Sequence, residues 1–324
     1  MYNAHSQYKT SSIMFSNIKG ILIYLVVLGH IIEAAPSILY SFEGSTLNKF
    51  IYSFHMEAFV FVSGFFSKIF EPNFKKKLRK YIKPYCALTL IVCLSRFLLL
   101  DEPFSIFLYP FIFPYYPMHS TWYLLTLFYY RLFLKRILVV KGIFILSLAL
   151  YLLFPCINTD LEYLSLGRAI SFLPFLLLGY YSSSQIIALI KSISFKFYIF
   201  LFFCYLTIFF QINRYFNHKF FYLKYSYDYF CISPIYGICG RLGLMISSLI
   251  MIALLIKTVP NTKTIFTNLG TKSLTIYMFH LPFVYFSQNK LLFNHFSRMD
   301  YFNLFLYSVI TVYILAKIKE ICKD

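Results

Sequence analysis

Apolar residues gather in ten windows of spanning length, near 18–34, 50–69, 81–100, 120–136, 139–155, 165–181, 195–212, 232–257, 265–288 and 301–318. Each approaches the roughly 20 residues that carry a helix across a bilayer core of about 30 Å. The pattern predicts an all-α integral membrane protein, a bundle of about ten transmembrane helices. A polar segment, 1–17, is expected to precede one membrane domain over 18–318, with a short tail over 319–324. The opening residues lack the basic-then-apolar order of a cleaved leader, so the first span is read as retained. Two places blur the pattern. Residues 101–121 hold Pro103, Pro110, Pro114 and Pro117 and read as a loop or a re-entrant segment, and only a few residues around Lys141 part the fourth and fifth windows.

Composition agrees with a bilayer. Hydrophobic residues fill 60% of the 324 positions and charged ones 13%, about half the charge of a soluble domain. The Lys and Arg are placed unevenly. Lys68, Lys75, Lys76, Lys77, Arg79, Lys80 and Lys83 crowd the loop after the second window. With the other even-numbered loops and both termini, that side holds 21 of the 30 basic residues. The bias makes it the cytoplasmic side and places both termini inside. Opposite lie most of the acids, among them Glu33, Glu43, Asp101, Glu102, Asp160, Glu162, Asp228 and Asp300. Topology thus accounts for most of the net charge of +18, and no nucleic acid is needed to explain it. The seven Cys are scattered without a metal-type C-x-x-C pair and read as structural. Cys231 and Cys239, about 12 Å apart on a helix, could bridge only if the chain bends.

Ionisable residues inside the windows carry the chemistry. Lys19 and His30 are eleven residues apart, about 16 Å and three turns, so they share one face of the first helix at opposite depths. Ionisable groups in a bilayer are costly and usually face a cavity or a partner. Gly29 leaves room beside His30. His55 and Glu57 in the second window and His280 in the ninth share the outer depth of His30. His55 and Glu57, two apart, point to different sides of their helix. Glu57 has a structural alternative as the buried partner of Arg96 or Arg241, and His280 has one as a donor to a neighbouring carbonyl. The Lys75–Lys83 cluster reads as contact with acidic lipid headgroups or as a phosphate site in which Lys80 and Lys83, one turn apart, work with Lys19.

Several short motifs, in order along the chain, resemble those of the membrane acyltransferase type 3 family, nearest to its fucose 4-O-acetylase-like branch of sugar O-acetyltransferases. They are Lys19-x(10)-His30, Phe54-His55-Met56 with Ser63-Gly64, Lys80-x-x-Lys83-Pro84-Tyr85, Trp122-Tyr-Leu-Leu, Leu166-Gly-Arg168-x(4)-Leu-Pro174-Phe-x(3)-Gly179-Tyr180 and Ser273-x(3)-Tyr277-x(2)-His280. The resemblance implies an O-acyltransferase in the plasma membrane of a bacterium. It would take acetyl or another acyl group from cytoplasmic acyl-CoA, its co-substrate, to a hydroxyl of a cell-envelope sugar or glycan, lipid-linked or finished. No metal is implied. Lys19, Arg79, Lys80 and Lys83 would meet the coenzyme A phosphates, and the pantetheine arm would run toward His30. An imidazole, ordinarily titrating near pH 6.5, suits a general base. His55 or Glu57 would orient His30. Arg168 would hold an acceptor hydroxyl or phosphate, with Trp122, Tyr277 and His280 also toward the acceptor. Two departures stand out: Lys19 replaces the family's common Arg, and Glu57 stands where Pro commonly follows Phe-His-Met. The competing reading is a transporter or flippase for a lipid-linked sugar, against which no inverted repeat or matched pair of broken helices is visible.

Overall fold

The computed structural model describes residues 2–68, 74–108, 119–157, 162–290, 292–293 and 298–321. They fold into α1 (Tyr2–Glu33), α2 (Pro36–Leu39), α3 (Phe42–Tyr52), α4 (His55–Phe65), α5 (Phe74–Leu99), α6 (Trp122–Val139), α7 (Ile143–Leu153), α8 (Leu166–Tyr181), α9 (Ser184–Ser192), α10 (Phe195–Tyr215), α11 (Pro234–Thr258), α12 (Ile265–Thr271), α13 (Ser273–Asn289) and α14 (Arg298–Ile321), with short 3₁₀ turns and no strand among the described residues.

Helix occupies all ten apolar windows, but not as ten uninterrupted rods. Among the described residues six segments are long and apolar enough to cross a membrane: Ile13–Glu33, Arg79–Leu99, Tyr163–Tyr181, Phe195–Tyr215, Pro234–Thr258 and Met299–Lys317. The second window divides into α3 and α4, and the ninth into α12 and α13. α1 begins at Tyr2 and runs through the polar opening residues without a break. Most of the Pro-rich stretch, 109–118, and the tail 322–324 lie outside the described residues; the flanks of the first are 3₁₀ turns at Phe104–Leu108 and His119–Thr121. Cys231 and Cys239 are both free.

The break between α3 and α4 decides where one candidate residue sits. Phe54 takes φ −156° and ψ −21°, which ends the helical ladder. The Ile51 carbonyl is left with a long bond from the Phe54 amide, 3.5 Å. The His55 ring fills the gap, its Nδ1–H donating to that carbonyl at 2.7 Å. Ser248 Oγ donates to the Ser53 carbonyl at 2.8 Å. Buried carbonyls must be bonded, and side chains do it here.

α1 is central, packed against α4, α12, α13 and α14. Its N-terminal half is tied by Asn17, whose amide donates to the carbonyls of Pro260, 3.0 Å, and Thr262, 2.9 Å, and whose oxygen accepts from the Thr264 and Thr267 hydroxyls. The backbones of α1 and α12 touch because Gly20 and Gly270 carry no side chain. A Cβ on Gly270 would fall within the Ser16 carbonyl, and one on Gly20 within that of Phe266. Small residues let membrane helices approach this closely. Gly270→Val is therefore expected to push α12 off α1 and destabilise the chain by about 1–3 kcal/mol, read as a lowered unfolding midpoint in nanodiscs; an unchanged midpoint would mean the contact is dispensable.

Candidate active site

A cavity of about 210 Å³ lies between α1, α4, α5, α6 and α13. Its long axis follows α1. Lys19, Ile23 and Val26 line it in order along that helix, Ser63, Phe59 and Met56 in the reverse order along α4, and Ser273, Leu274 and Tyr277 along α13. One end is thus set by Lys19, Ser63 and Ser273, with Lys80 and Tyr81 of α5 also in the wall, and the other by Val26, Met56 and Tyr277. Seven residues of α1 separate the ends, about 10 Å. The mouth is cationic and the body apolar and aromatic, with Phe59, Tyr123, Leu124 and Leu127 in its walls.

The basic residues expected at the mouth divide. Lys19 and Lys80 line the cavity, Lys19 Nζ lying 5.9 Å from the Phe66 ring centroid and Lys80 Nζ 5.8 Å from that of Tyr81. Arg79 and Lys83 are exposed on the opening turns of α5 and form no part of the wall.

One turn beyond Val26 stands His30. Its Nδ1–H donates to Glu33 Oε2 at 3.0 Å. The phenols of Tyr52 and Tyr222 also face Glu33 closely enough to act on its charge, and a carboxylate so surrounded acts as an acceptor. The proton of His30 is therefore on Nδ1, and Nε2 carries the lone pair. The pair is partly open, with side-chain exposures of 16% and 26%. Burial and the nearby Glu33 charge hold the Tyr222 phenol well above its ordinary value, so it stays a donor.

His280 and His55 share the neighbourhood. The His280 ring lies 5.2 Å from that of His30, and its Nδ1–H donates to the Tyr277 carbonyl at 2.8 Å. Tyr277 thus links the cavity's far end to the His30 pair. It packs edge-on against Tyr123 at 5.7 Å, and its hydroxyl donates to the Ser120 carbonyl. His55 is buried with its ring 4.7 Å from Tyr52, within electrostatic reach of His30 and Glu33. Its Nδ1 is committed to Ile51, so its first duty is to seal the helix break.

Glu57 stands elsewhere. It is buried, it neighbours Tyr151, and its Oε2 has no partner among the described residues. It neither orients His30, which Glu33 does, nor pairs with a buried arginine. Arg96 Nε donates to Glu102 at 2.8 Å. Arg241 donates to the Tyr151 carbonyl at 3.1 Å and to Ser171 Oγ at 2.9 Å. The two-residue offset from His55 has the effect expected of it: the two side chains of α4 part company.

Trp122 and Arg168 come together, the guanidinium carbon 4.5 Å from the Trp122 ring centroid, with Trp122 stacked on Phe172 at 5.3 Å and 19°. Sequence reasoning missed Glu33, Tyr52 and Tyr222 as site residues. Glu33 carried a legible signal, three residues after His30 on the same helix face; the two tyrosines, among 30 in the chain, carried none.

The chain was compared with known proteins at three levels. A family model described as an acyltransferase domain matches residues 15–317, nearly the whole chain. No curated protein and no solved structure matches it.

Proposed function

The chain belongs to the type 3 acyltransferase family, whose domain model spans residues 15–317, and from that premise we propose a membrane O-acyltransferase that moves an acyl group, acetyl by resemblance, from cytoplasmic acyl-CoA to a hydroxyl of a cell-envelope sugar or glycan unit. The reading includes ten crossings with both termini cytoplasmic, in a bacterial plasma membrane. The observation that supports it most is the alignment along α1: a cationic mouth at Lys19 and Lys80, an apolar cavity, and an imidazole–carboxylate pair one turn beyond its far end.

Each part has a chemical task. Lys19 and Lys80 receive phosphate oxygens of the donor, and the apolar walls take the pantetheine arm. The thioester comes to rest near Tyr277 and His280. The acceptor enters from the outer side, where Arg168 and Trp122 are its contacts. His30 Nε2 takes the hydroxyl proton as the oxygen attacks the thioester carbonyl. The tetrahedral adduct collapses with cleavage of the C–S bond, and the imidazolium, held by Glu33, returns the proton to the departing thiolate. Preorganised pairs of this kind contribute to rate because no reorganisation is needed as charge develops.

The test is binding and turnover of labelled acetyl-CoA by the chain in nanodiscs. Lys19→Gln with Lys80→Gln is expected to weaken donor binding by about tenfold or more, as loss of charge-assisted contacts implies. Absence of any acyl-CoA binding by the native chain would sink acyl transfer and bring transport of a lipid-linked sugar to the front.

A further inference from the structure

Arg168 and Lys224 both lie within electrostatic reach of Glu33, and of the two only Lys224 has a carboxylate partner among the described residues. Lys224 Nζ is bound to Glu162 Oε1 at 2.6 Å. Arg168 has no such partner. Its guanidinium lies against the face of Trp122, and that face contact leaves the five in-plane N–H donors of an arginine unspent. Among the described residues none accepts a hydrogen bond from Arg168, and its Nε is buried without one. The two carboxylates near enough to act on its charge are committed elsewhere, Glu162 to Lys224 and Glu33 to His30. Tyr52, Tyr222, Tyr225 and Tyr277 are further titratable groups within electrostatic reach of it. Lys224 itself is pushed down by burial and by the Arg168 charge beside it, so the two cations act on one space.

Arg168 is half-buried, and a buried Nε–H without an acceptor is costly, so native structures rarely leave one. Trp122, wedged on Phe172, fixes its plane, which is the preparation an oxyanion fork needs. We propose that Arg168 is the anion subsite of the acceptor pocket, so that the acceptor carries a carboxylate or a phosphate close to the hydroxyl that is acylated. The inference rests on the acyl-transfer reading above for the word acceptor, and on the Arg168 geometry for the anion. It excludes a purely neutral sugar as the preferred acceptor. The anion has two possible sources, an acidic sugar or a sugar phosphate such as a lipid-linked unit presents.

The experiment measures binding of three probes to the native chain in nanodiscs: methyl glucoside, methyl glucuronide and glucose 1-phosphate. Acetyl-CoA binding is followed in parallel. At least one charged probe is expected to bind about tenfold to a hundredfold more tightly than the neutral one. Glucuronide ahead of the phosphate points to an acidic sugar, and the reverse order to a phosphate-linked unit. In Arg168→Gln the preference should shrink to within about threefold while acetyl-CoA still binds. If that variant loses acetyl-CoA binding, Arg168→Lys replaces it: charge stays, the two-pronged geometry goes, and the preference falls several-fold. No preference in the native chain, a preference that survives the variant, or no binding of any probe below about 10 mM overturns the anion subsite. A charged-probe preference without acetyl-CoA binding keeps the subsite and sinks acyl transfer instead.

Discussion

Replacing His30 with alanine is expected to reduce acyl transfer by about 10²–10⁴-fold, the usual contribution of a positioned general base, while acetyl-CoA binds as before. Donor affinity is assigned to Lys19 and Lys80, three turns away at the cavity mouth, and His30 is not in the cavity wall. His30 is also the imidazole best placed for the chemistry. Three imidazoles, His30, His55 and His280, donate through Nδ1, each to an acceptor three or four residues away. All three are thereby fixed with the Nε2 lone pair outward. Only His30 has a carboxylate as that acceptor, and only a carboxylate stabilises the imidazolium that proton abstraction creates. His55 and His280 donate to backbone carbonyls, which orient a ring without compensating a full charge. Single-turnover transfer from labelled acetyl-CoA to an acceptor mixture, with equilibrium binding of the donor alongside, separates the two effects. Transfer within about threefold of native in His30→Ala would remove His30 from the chemistry.

The axis of the site was legible in the chain because a helix converts spacing into direction. A separation of eleven positions places Lys19 and His30 on one stripe whatever surrounds α1, and the cavity follows that stripe. Helical spacing also speaks for Glu33, which the count of outer acids hid among loop residues until the end of α1 was seen to include it. The opposite fates of His55 and Glu57 follow from their offset of two. What could not be read off are effects of the backbone and of distant contacts. The break at Ser53–Phe54, which gives His55 a carbonyl to satisfy, turns on one dihedral pair. Tyr222 reaches Glu33 across nearly 190 residues of chain. The settling of Trp122 under Arg168 depends on α6 and α8 packing together. Hydropathy windows find apolar length but not continuity, so two of the ten windows turned out to contain a break.

The second large effect concerns Glu33. Glu33→Gln keeps the size of the side chain and removes its charge, and it is expected to lower kcat by about 10²–10⁴-fold with the KM for acetyl-CoA unchanged. The lower bound comes from loss of imidazolium stabilisation. The upper bound corresponds to the wrong tautomer, as in an Asp→Asn change behind a catalytic histidine. A glutamine amide can donate to Nδ1, which would move the His30 proton to Nε2 and leave no lone pair toward the acceptor. Tyr222→Phe tests the same chain of contacts one step further out. It removes a phenol that faces the Glu33 carboxylate, and a hydrogen bond to a charged group is worth about 1.5–3 kcal/mol. If Tyr222 acts only through Glu33, its loss should cost about tenfold in kcat in the native background and almost nothing in Glu33→Gln, because the charge it supports is already gone. Equal costs in both backgrounds would make Tyr222 an independent contact of the acceptor. A Glu33→Gln chain within about threefold of native kcat would reduce the His30–Glu33 bond to scaffolding, and the orienting group for the base would have to be sought elsewhere.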